Sequence, residues 1–101
     1  MSETAPRILE KQPSETKSFS MNFGGKMSTG ETISSITSIT NEYRGGGTGN
    51  LTISGESISS QTVTFNIAGG THGRVYRIEI LIVTSNSQIL EGDGLLQVSD
   101  T

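Results

Sequence analysis

The chain has 101 residues, with ten acidic and seven basic side chains and one histidine, and its formal net charge at pH 7 is −3. It contains no Cys and no Trp, which excludes a disulfide framework, a Cys-ligated zinc and a thiol nucleophile. The excess of acids gives no nucleic-acid footprint, and the longest apolar run, Ile80 to Val83, is far shorter than the about 20 residues of a membrane helix. We expect one soluble domain made in the cytosol, with no nucleic-acid or membrane partner.

Residues 1–17 are predicted to form an extended arm outside the core. The segment holds three acids and three bases, and its two prolines disfavour a helix interior. Beyond the first residue, its bulky apolar side chains are Ile8 and Leu9. The arm is expected to be a disordered tail in an isolated monomer and to order only on a partner. In that bound state Arg7, Ile8 and Leu9 are the predicted partner-binding residues.

Residues 18–101 change to the two-residue period of β-strands. From Phe19 to Phe23 apolar and polar residues alternate, and Gly24-Gly25 ends this strand. From Thr32 to Thr40 isoleucine recurs every three residues, which alone would also fit a helix. The Ser, Thr and β-branched content favours a strand with a bulge near Ser34-Ser35. The glycine-rich segment that follows, residues 44–49, is predicted to be a loop.

The second half of the chain contains the clearest alternation. Leu51 to Ile53 predicts a short strand that ends at Gly55, and Val63 to Ile67 predicts the next one. A glycine turn at residues 69–73 precedes the longest strand. Its inner face carries Tyr76, Ile78, Ile80 and Ile82, and its outer face carries Val75, Arg77, Glu79, Leu81 and Val83.

The outer face of this longest strand starts polar and ends apolar. We therefore expect the strand to be central and covered on both faces towards its carboxyl end. A tight turn at residues 84–87 leads into the last strand, which starts at residues 88–90 and continues at 95–98. Gly92-Asp93-Gly94 is predicted to interrupt it, because glycine inside a strand usually marks a bulge or a bend. Arg74, Arg77 and Glu79 are predicted to lie on the outer face of this strand and could form weak cross-strand ion pairs.

This spacing of six or seven short strands predicts an all-β fold. The favoured architecture is a small antiparallel immunoglobulin-like β-sandwich of residues 18–101 with the extended N-terminal arm, and a barrel is the main alternative. The predicted core consists of the inward-facing apolar residues: Phe19, Met21, Ile33, Leu51, Ile53, Val63, Phe65, Tyr76, Ile78, Ile80, Ile82 and Leu96.

The sequence offers little for catalysis. His72 is the single imidazole and lies in a glycine turn, where a flexible loop does not hold a base in place. The acids at residues 91–94 lack the alternating oxygen ligands of a calcium loop. The glycines at residues 45–49 lack the Lys and Ser/Thr of a phosphate-binding loop. We predict no catalytic, metal or cofactor-binding residue, and no enzyme.

What remains is a neutral surface rich in Ser and Thr, which together make up 28 residues. Strands with such faces hold their register weakly and pair readily with other chains, including by strand addition. This composition therefore suggests a protein that is held among other proteins.

From Gly30 to Val98, about two-thirds of the chain, the sequence resembles a family of short tailed-phage proteins, described as fibre–tail adaptors or related virion proteins. The most specific match is the Gly-Gly-Thr-x-Gly-x-x-Tyr stretch from Gly69 to Tyr76. The matching segments are Gly30 to Ile33, Ile53 to Gly55, Val63 to Phe65, Gly69 to Tyr76, Thr84-Ser85 and Glu91 to Val98.

The resemblance implies an immunoglobulin-like sandwich whose motif residues are structural: glycines permit positive φ, and Tyr76 packs with its hydroxyl capped. It also implies a structural virion protein, made in the bacterial host cytoplasm, that acts as an adaptor at the neck or tail. The expected partners are a tail or neck ring, a fibre, and copies of the chain itself in a ring. Two alternatives are a carbohydrate-binding or adhesive module on the virion surface and a capsid decoration protein.

Overall fold

The computed structural model describes residues 9–43 and 49–99, together with the backbone of residues 3–5. Within these ranges the chain is built from β-strands joined by turns, with one short 3-10 turn at Gly24–Lys26. The strands are β1 (Glu3–Ala5), β2 (Leu9–Lys11), β3 (Lys17–Asn22), β4 (Ile33–Tyr43), β5 (Leu51–Ser59), β6 (Thr62–Gly69), β7 (Arg74–Thr84) and β8 (Ile89–Val98).

The strands form two four-stranded sheets that pack face to face. One sheet has the order β1-β3-β6-β5, and the other has the order β2-β8-β7-β4. The six long strands pair antiparallel, whereas β1 pairs parallel with β3 and β2 pairs parallel with β8. From β3 onwards this order matches the B-E-D and C-F-G sheets of immunoglobulin domains. The predicted all-β sandwich is confirmed, and two short strands that precede residue 18 are added to its six long ones.

The core lies between the sheets and contains almost all of the predicted residues. Ile53 is the exception, since it is only half-buried at the edge of the core. Four further side chains are fully enclosed although the sequence analysis did not include them: Leu9, Phe23, Ile67 and Val98. Phe23 and Ile67 extend the alternating rows of β3 and β6, whereas Leu9 comes from the segment predicted to be an arm.

Two glycines predicted to end or interrupt strands do neither. At Gly55, with φ of +64°, β5 continues through a register shift between Ser54 and Ser57, so the glycine makes a bulge. Gly92 lies inside an unbroken β8, paired in register with Ile80 of β7.

Gly92 is present because of what faces it across the sandwich. A Cβ atom at this position would overlap Met21 Sδ and would lie 2.8 Å from ring atoms of Phe23. The missing side chain therefore makes room for two side chains of β3.

The bulge predicted near Ser34-Ser35 is confirmed by a register shift between Ile33 and Ser35, and a second shift follows between Ile36 and Ser38.

Strand β7, which with 11 residues is as long as β4, is central, as predicted, because β8 and β4 flank it on either side. The cover predicted for its outer face is not provided by the described residues. Leu81 and Val83 are half-buried, and their neighbour Ile89 at the start of β8 is 72% exposed. One corner of this sheet therefore presents apolar side chains outward.

We expect Gly92→Ala to destabilise the fold by about 1–3 kcal/mol, because the added methyl group overpacks the space filled by Met21 and Phe23. The matched control is Gly25→Ala, since a Cβ there meets no atom within 4 Å. The control should change the free energy of unfolding by less than about 0.5 kcal/mol. Urea denaturation of both variants measures the difference, and equal stabilities would contradict this account of Gly92.

Candidate functional site

Of the predicted partner-binding residues, the structure describes Leu9, which begins β2 where this strand runs beside β8. Leu9 pairs with Leu96 and Lys11 pairs with Val98 in a parallel register. The Leu9 side chain is 1% exposed and packs into the core of its own chain. Arg7 and Ile8 lie outside the described residues. The prediction that these three residues bind a partner stays a prediction.

Lys11 anchors the connection from β2 to β3. Its side chain is buried, and its ammonium group donates to the carbonyl oxygens of Gln12 at 2.6 Å and Pro13 at 3.2 Å. Burial lowers the pKa of Lys11, and the charge of nearby Glu15 opposes this effect. The carboxylate of Glu15 also accepts a 2.7 Å hydrogen bond from the backbone N–H of Gln12. Residues 9–17 are therefore folded against the sandwich. They could contact a neighbouring chain only if this segment first rearranged.

The glycine turn before β7 forms a tyrosine corner. The ring of Tyr76 is fully buried, and its hydroxyl accepts a 2.8 Å hydrogen bond from the backbone N–H of Thr71. The same hydroxyl donates to Asn50 Oδ1 at 2.6 Å. Gly69, Gly70 and Gly73 all have positive φ, which lets the chain turn back onto the tyrosine. This arrangement confirms that the Gly69 to Tyr76 motif is structural.

The Gly-Glu-Thr-Ile motif forms a second polar junction around the buried side chain of Glu31. Its carboxylate accepts hydrogen bonds from Thr84 Oγ1 at 2.5 Å and from the backbone N–H of Ser28 at 2.9 Å. The backbone carbonyl oxygen of Glu31 accepts a hydrogen bond from Gln61 Nε2 at 3.0 Å. The junction therefore ties the β3–β4 connection to the end of β7 and to the β5–β6 turn.

These hydrogen bonds lower the pKa of the Glu31 carboxyl, and the bond from Thr84 has the largest effect. Burial by itself would raise the pKa of Glu31, but this effect is smaller than that of the hydrogen bonds. No signal in the sequence alone marked Glu31 as buried, since an acid between two turns usually faces solvent.

A charged cluster lies on the outer face of the β2-β8-β7-β4 sheet, with Arg77 at its centre. The guanidinium lies 3.2 Å from carboxylate oxygens of Glu79 and Asp93, 3.4 Å from Glu42 and 3.7 Å from Glu91. The predicted cross-strand pairing of Arg77 and Glu79 is thus present in a larger group. Arg74 lies apart from it, with its guanidinium carbon 4.7 Å from the centre of the Tyr43 ring.

The carboxylates in this cluster repel one another. Repulsion by Asp93 and then by Glu79 raises the pKa of Glu91, and the nearby guanidinium of Arg77 only partly offsets it. In turn, the hydrogen bond and charge of Asp93 raise the pKa of Arg77. Carboxylate oxygens of Glu79, Glu91 and Asp93 lie within 4.8 Å of one another. Arg77 supplies a cation to all three, so the group is an under-neutralised ion-pair network.

The residues considered for catalysis are not gathered into a site. His72 is exposed in the turn between β6 and β7, as predicted. Most of the glycine-rich segment at residues 45–49 lies outside the described residues. The acids at residues 91 and 93 are part of a regular strand. The described residues also include no helix long and apolar enough to cross a membrane.

Comparison with known proteins identifies the family. The model of a family described as podophage GP4 fiber-tail adaptor protein gp77 matches residues 11–97. The chain belongs to this family. It is thus a structural virion protein of a bacteriophage, an adaptor of the tail that interacts with other tail proteins. None of the curated proteins compared with the chain matches it.

The match extends the resemblance seen in the sequence, which began at Gly30, back through β3 to Lys11. Within it, the two recognisable motifs coincide with the tyrosine corner and the Glu31 junction. Both motifs therefore lie where turns and strand ends of the sandwich are tied together.

We expect the stability of the chain to depend on the ionisation of Glu31. Because the folded pKa of Glu31 is lowered, its ionised form stabilises the fold. That contribution is complete above the ordinary carboxyl pKa of about 4.3 and is lost as the pH falls through the lower folded value. Urea unfolding between pH 7 and pH 3 should show a flatter pH dependence for Glu31→Gln than for wild type.

The matched control for this experiment is Glu56→Gln, because Glu56 is exposed on β5. The control should follow the wild-type pH profile. Parallel profiles for wild type and Glu31→Gln would show that Glu31 is not the group responsible.

Proposed function

We propose that the chain acts at the neck or tail of the podophage particle, where several symmetric copies dock between a tail or neck ring and the fibres. The match over residues 11–97 to a fibre–tail adaptor family carries this proposal. The described residues hold no catalytic constellation, the net charge is small and the strand faces are rich in Ser and Thr. Such a sandwich suits a part that is held by protein contacts.

We also propose that the chain is not an enzyme. A base needs a fixed position beside a nucleophile, and exposed His72 lies in a turn that contains three glycines. The buried acid Glu31 is fully engaged by Thr84 and Ser28 in holding the fold. Both groups therefore have structural surroundings rather than catalytic ones.

The N-terminal segment, residues 1–17, is proposed to bind a neighbour in the assembled particle. In the described chain Leu9 fills a place in its own core, so contact through Leu9 requires β2 to leave β8. Exchange between identical copies meets this requirement, because β2 of one copy would pair with β8 of the next and its Leu9 would fill the equivalent place. Such exchange of an identical element is a low-cost route to assembly.

Purified phage particles should contain the chain in a small, fixed number of copies. An adaptor on a single ring is present once per ring subunit, whereas a decoration protein covers the whole capsid. Quantitative mass spectrometry, calibrated against a protein of known copy number in the same particles, measures this stoichiometry. A complete absence, or hundreds of copies, would rule out the adaptor role at one ring.

Exchange of β2 predicts a covalent link between copies. Glu10 lies opposite Gln97 in the parallel register, and the chain has no cysteine of its own. When Glu10→Cys chains are assembled together with Gln97→Cys chains, exchange should produce a disulfide-linked dimer on oxidation, because paired positions lie within disulfide reach. The products are separated on a non-reducing gel and identified by mass spectrometry.

The control for this experiment replaces the first variant by Glu56→Cys, which places the thiol on exposed β5 of the other sheet. It should give no dimer with Gln97→Cys. If assembled copies of the main pair stay monomeric while a chain carrying both cysteines closes an internal disulfide, β2 remains on its own chain and exchange does not occur.

A further inference from the structure

The outer face of the β2-β8-β7-β4 sheet is divided into an apolar corner and an acidic centre. Cross-strand pairing places Val83 beside Ile89, Leu81 beside Glu91, and Glu79 beside Asp93. Since successive residues on one face of a strand are about 7 Å apart, the apolar and acidic parts are immediate neighbours.

We define the apolar corner as Leu81, Val83 and Ile89. Leu81 and Val83 are half-buried, and the exposed fraction of Ile89 is 72%, the largest among the bulky apolar residues that the structure describes. On the β4 side, Ser35 and Ser38 pair with Val83 and Leu81. These short side chains flank the corner without covering it, so a partner can reach it from solvent.

The acidic centre consists of Glu42, Glu79, Glu91 and Asp93 around Arg77. Four carboxylates and one guanidinium leave a formal charge of −3, which equals the formal net charge of the whole chain. The other six acidic residues of the sequence are matched by six basic ones. Lys26 lies at the edge of this group, where its ammonium donates to the backbone carbonyl oxygen of Glu91, and the four carboxylates still outnumber the cations beside them.

We propose that this face docks a basic segment of another virion protein, with an apolar side chain seated on Leu81, Val83 and Ile89 and a Lys or Arg beside Glu91 and Asp93. The charge complementarity selects this occupant. A cation brought by the partner relieves the repulsion among the carboxylates, while the apolar contact removes Ile89 from water.

A two-fold contact with a second copy of the chain fits this face poorly. In a two-fold contact the same patch meets itself, so two acidic centres would be brought together. Like charges placed opposite each other in an interface cost several kcal/mol. The proposal rests on the proposed function, because it takes the partner from among the proteins of the same particle.

The test places a photo-crosslinking benzoylphenylalanine at position 89, with position 58 as the matched control. Ile58 is also an exposed isoleucine, but it lies on β5 in the other sheet. Each variant is incorporated into phage particles, irradiated and analysed by mass spectrometry. We expect position 89 to crosslink to a peptide of another virion protein that contains Lys or Arg near the crosslink, and position 58 not to reach that peptide.

Charge reversal gives an independent readout. We expect Glu91→Lys to lower the number of copies per particle about tenfold or more, because it places a cation against the basic partner. The Glu91 side chain is 46% exposed, so a lysine there extends into solvent and we expect the variant to fold. Glu56→Lys, which changes the net charge equally on the other sheet, should leave the copy number unchanged.

The outcomes separate this inference from the proposed function. If wild-type particles lack the chain, both fail. If the chain is present but position 89 crosslinks to its own copies, to a peptide without basic residues or to nothing, only the docking proposal fails. An unchanged copy number for Glu91→Lys overturns it as well.

Discussion

The constraint on which the whole structure depends is a shortage of bulky side chains. Leu, Ile, Val and Phe supply 24 of 101 residues, and two packed sheets need their inner faces filled across about 10 Å. The chain meets this need by placing most of these residues in or against the core and by omitting a side chain at Gly92. The sheets can then approach each other closely at Met21 and Phe23.

Because the core is small, the ends of the sandwich are held by polar contacts. Glu31 joins the turns near Thr84 and Gln61, and Tyr76 joins the glycine turn to Asn50. Burying such groups is costly unless their hydrogen bonds are made. Within the described part of the chain no buried side-chain nitrogen or oxygen lacks a partner. The two motifs that carry the resemblance lie at these two places.

The sequence was informative wherever a property is local. Alternation identified β3, β6 and β7 and most of the core, since inward and outward positions follow directly from the two-residue period. It failed where the reason lies far along the chain. Gly92 was misread as an interruption because Met21 and Phe23 explain it from the other sheet. Leu9 was placed in an arm because its partner strand, β8, is more than 75 residues away.

The candidate docking face also combines features that neighbouring residues determine with features that distant residues determine. The apolar end of β7 was visible in the sequence, and it predicted a cover for Leu81 and Val83. The sequence did not show which acidic residues lie together on this face, because the grouping of Glu42 with Asp93 depends on the pairing of three strands. Function could be predicted from the resemblance around Gly69 to Tyr76, whereas the contact surfaces required the fold.

The parallel pairing of β2 with β8 has a mechanical consequence. Leu9 is the N-terminal end of β2, and Val98 is the C-terminal end of β8. Because the two strands are parallel, these two ends lie at opposite ends of the pair. A force that pulls the two ends of the chain apart therefore runs along these neighbouring strands in opposite directions. It loads their hydrogen bonds together in shear instead of opening them one after another. A pull on the two ends of this adaptor is thus resisted by all the hydrogen bonds between β2 and β8 at once.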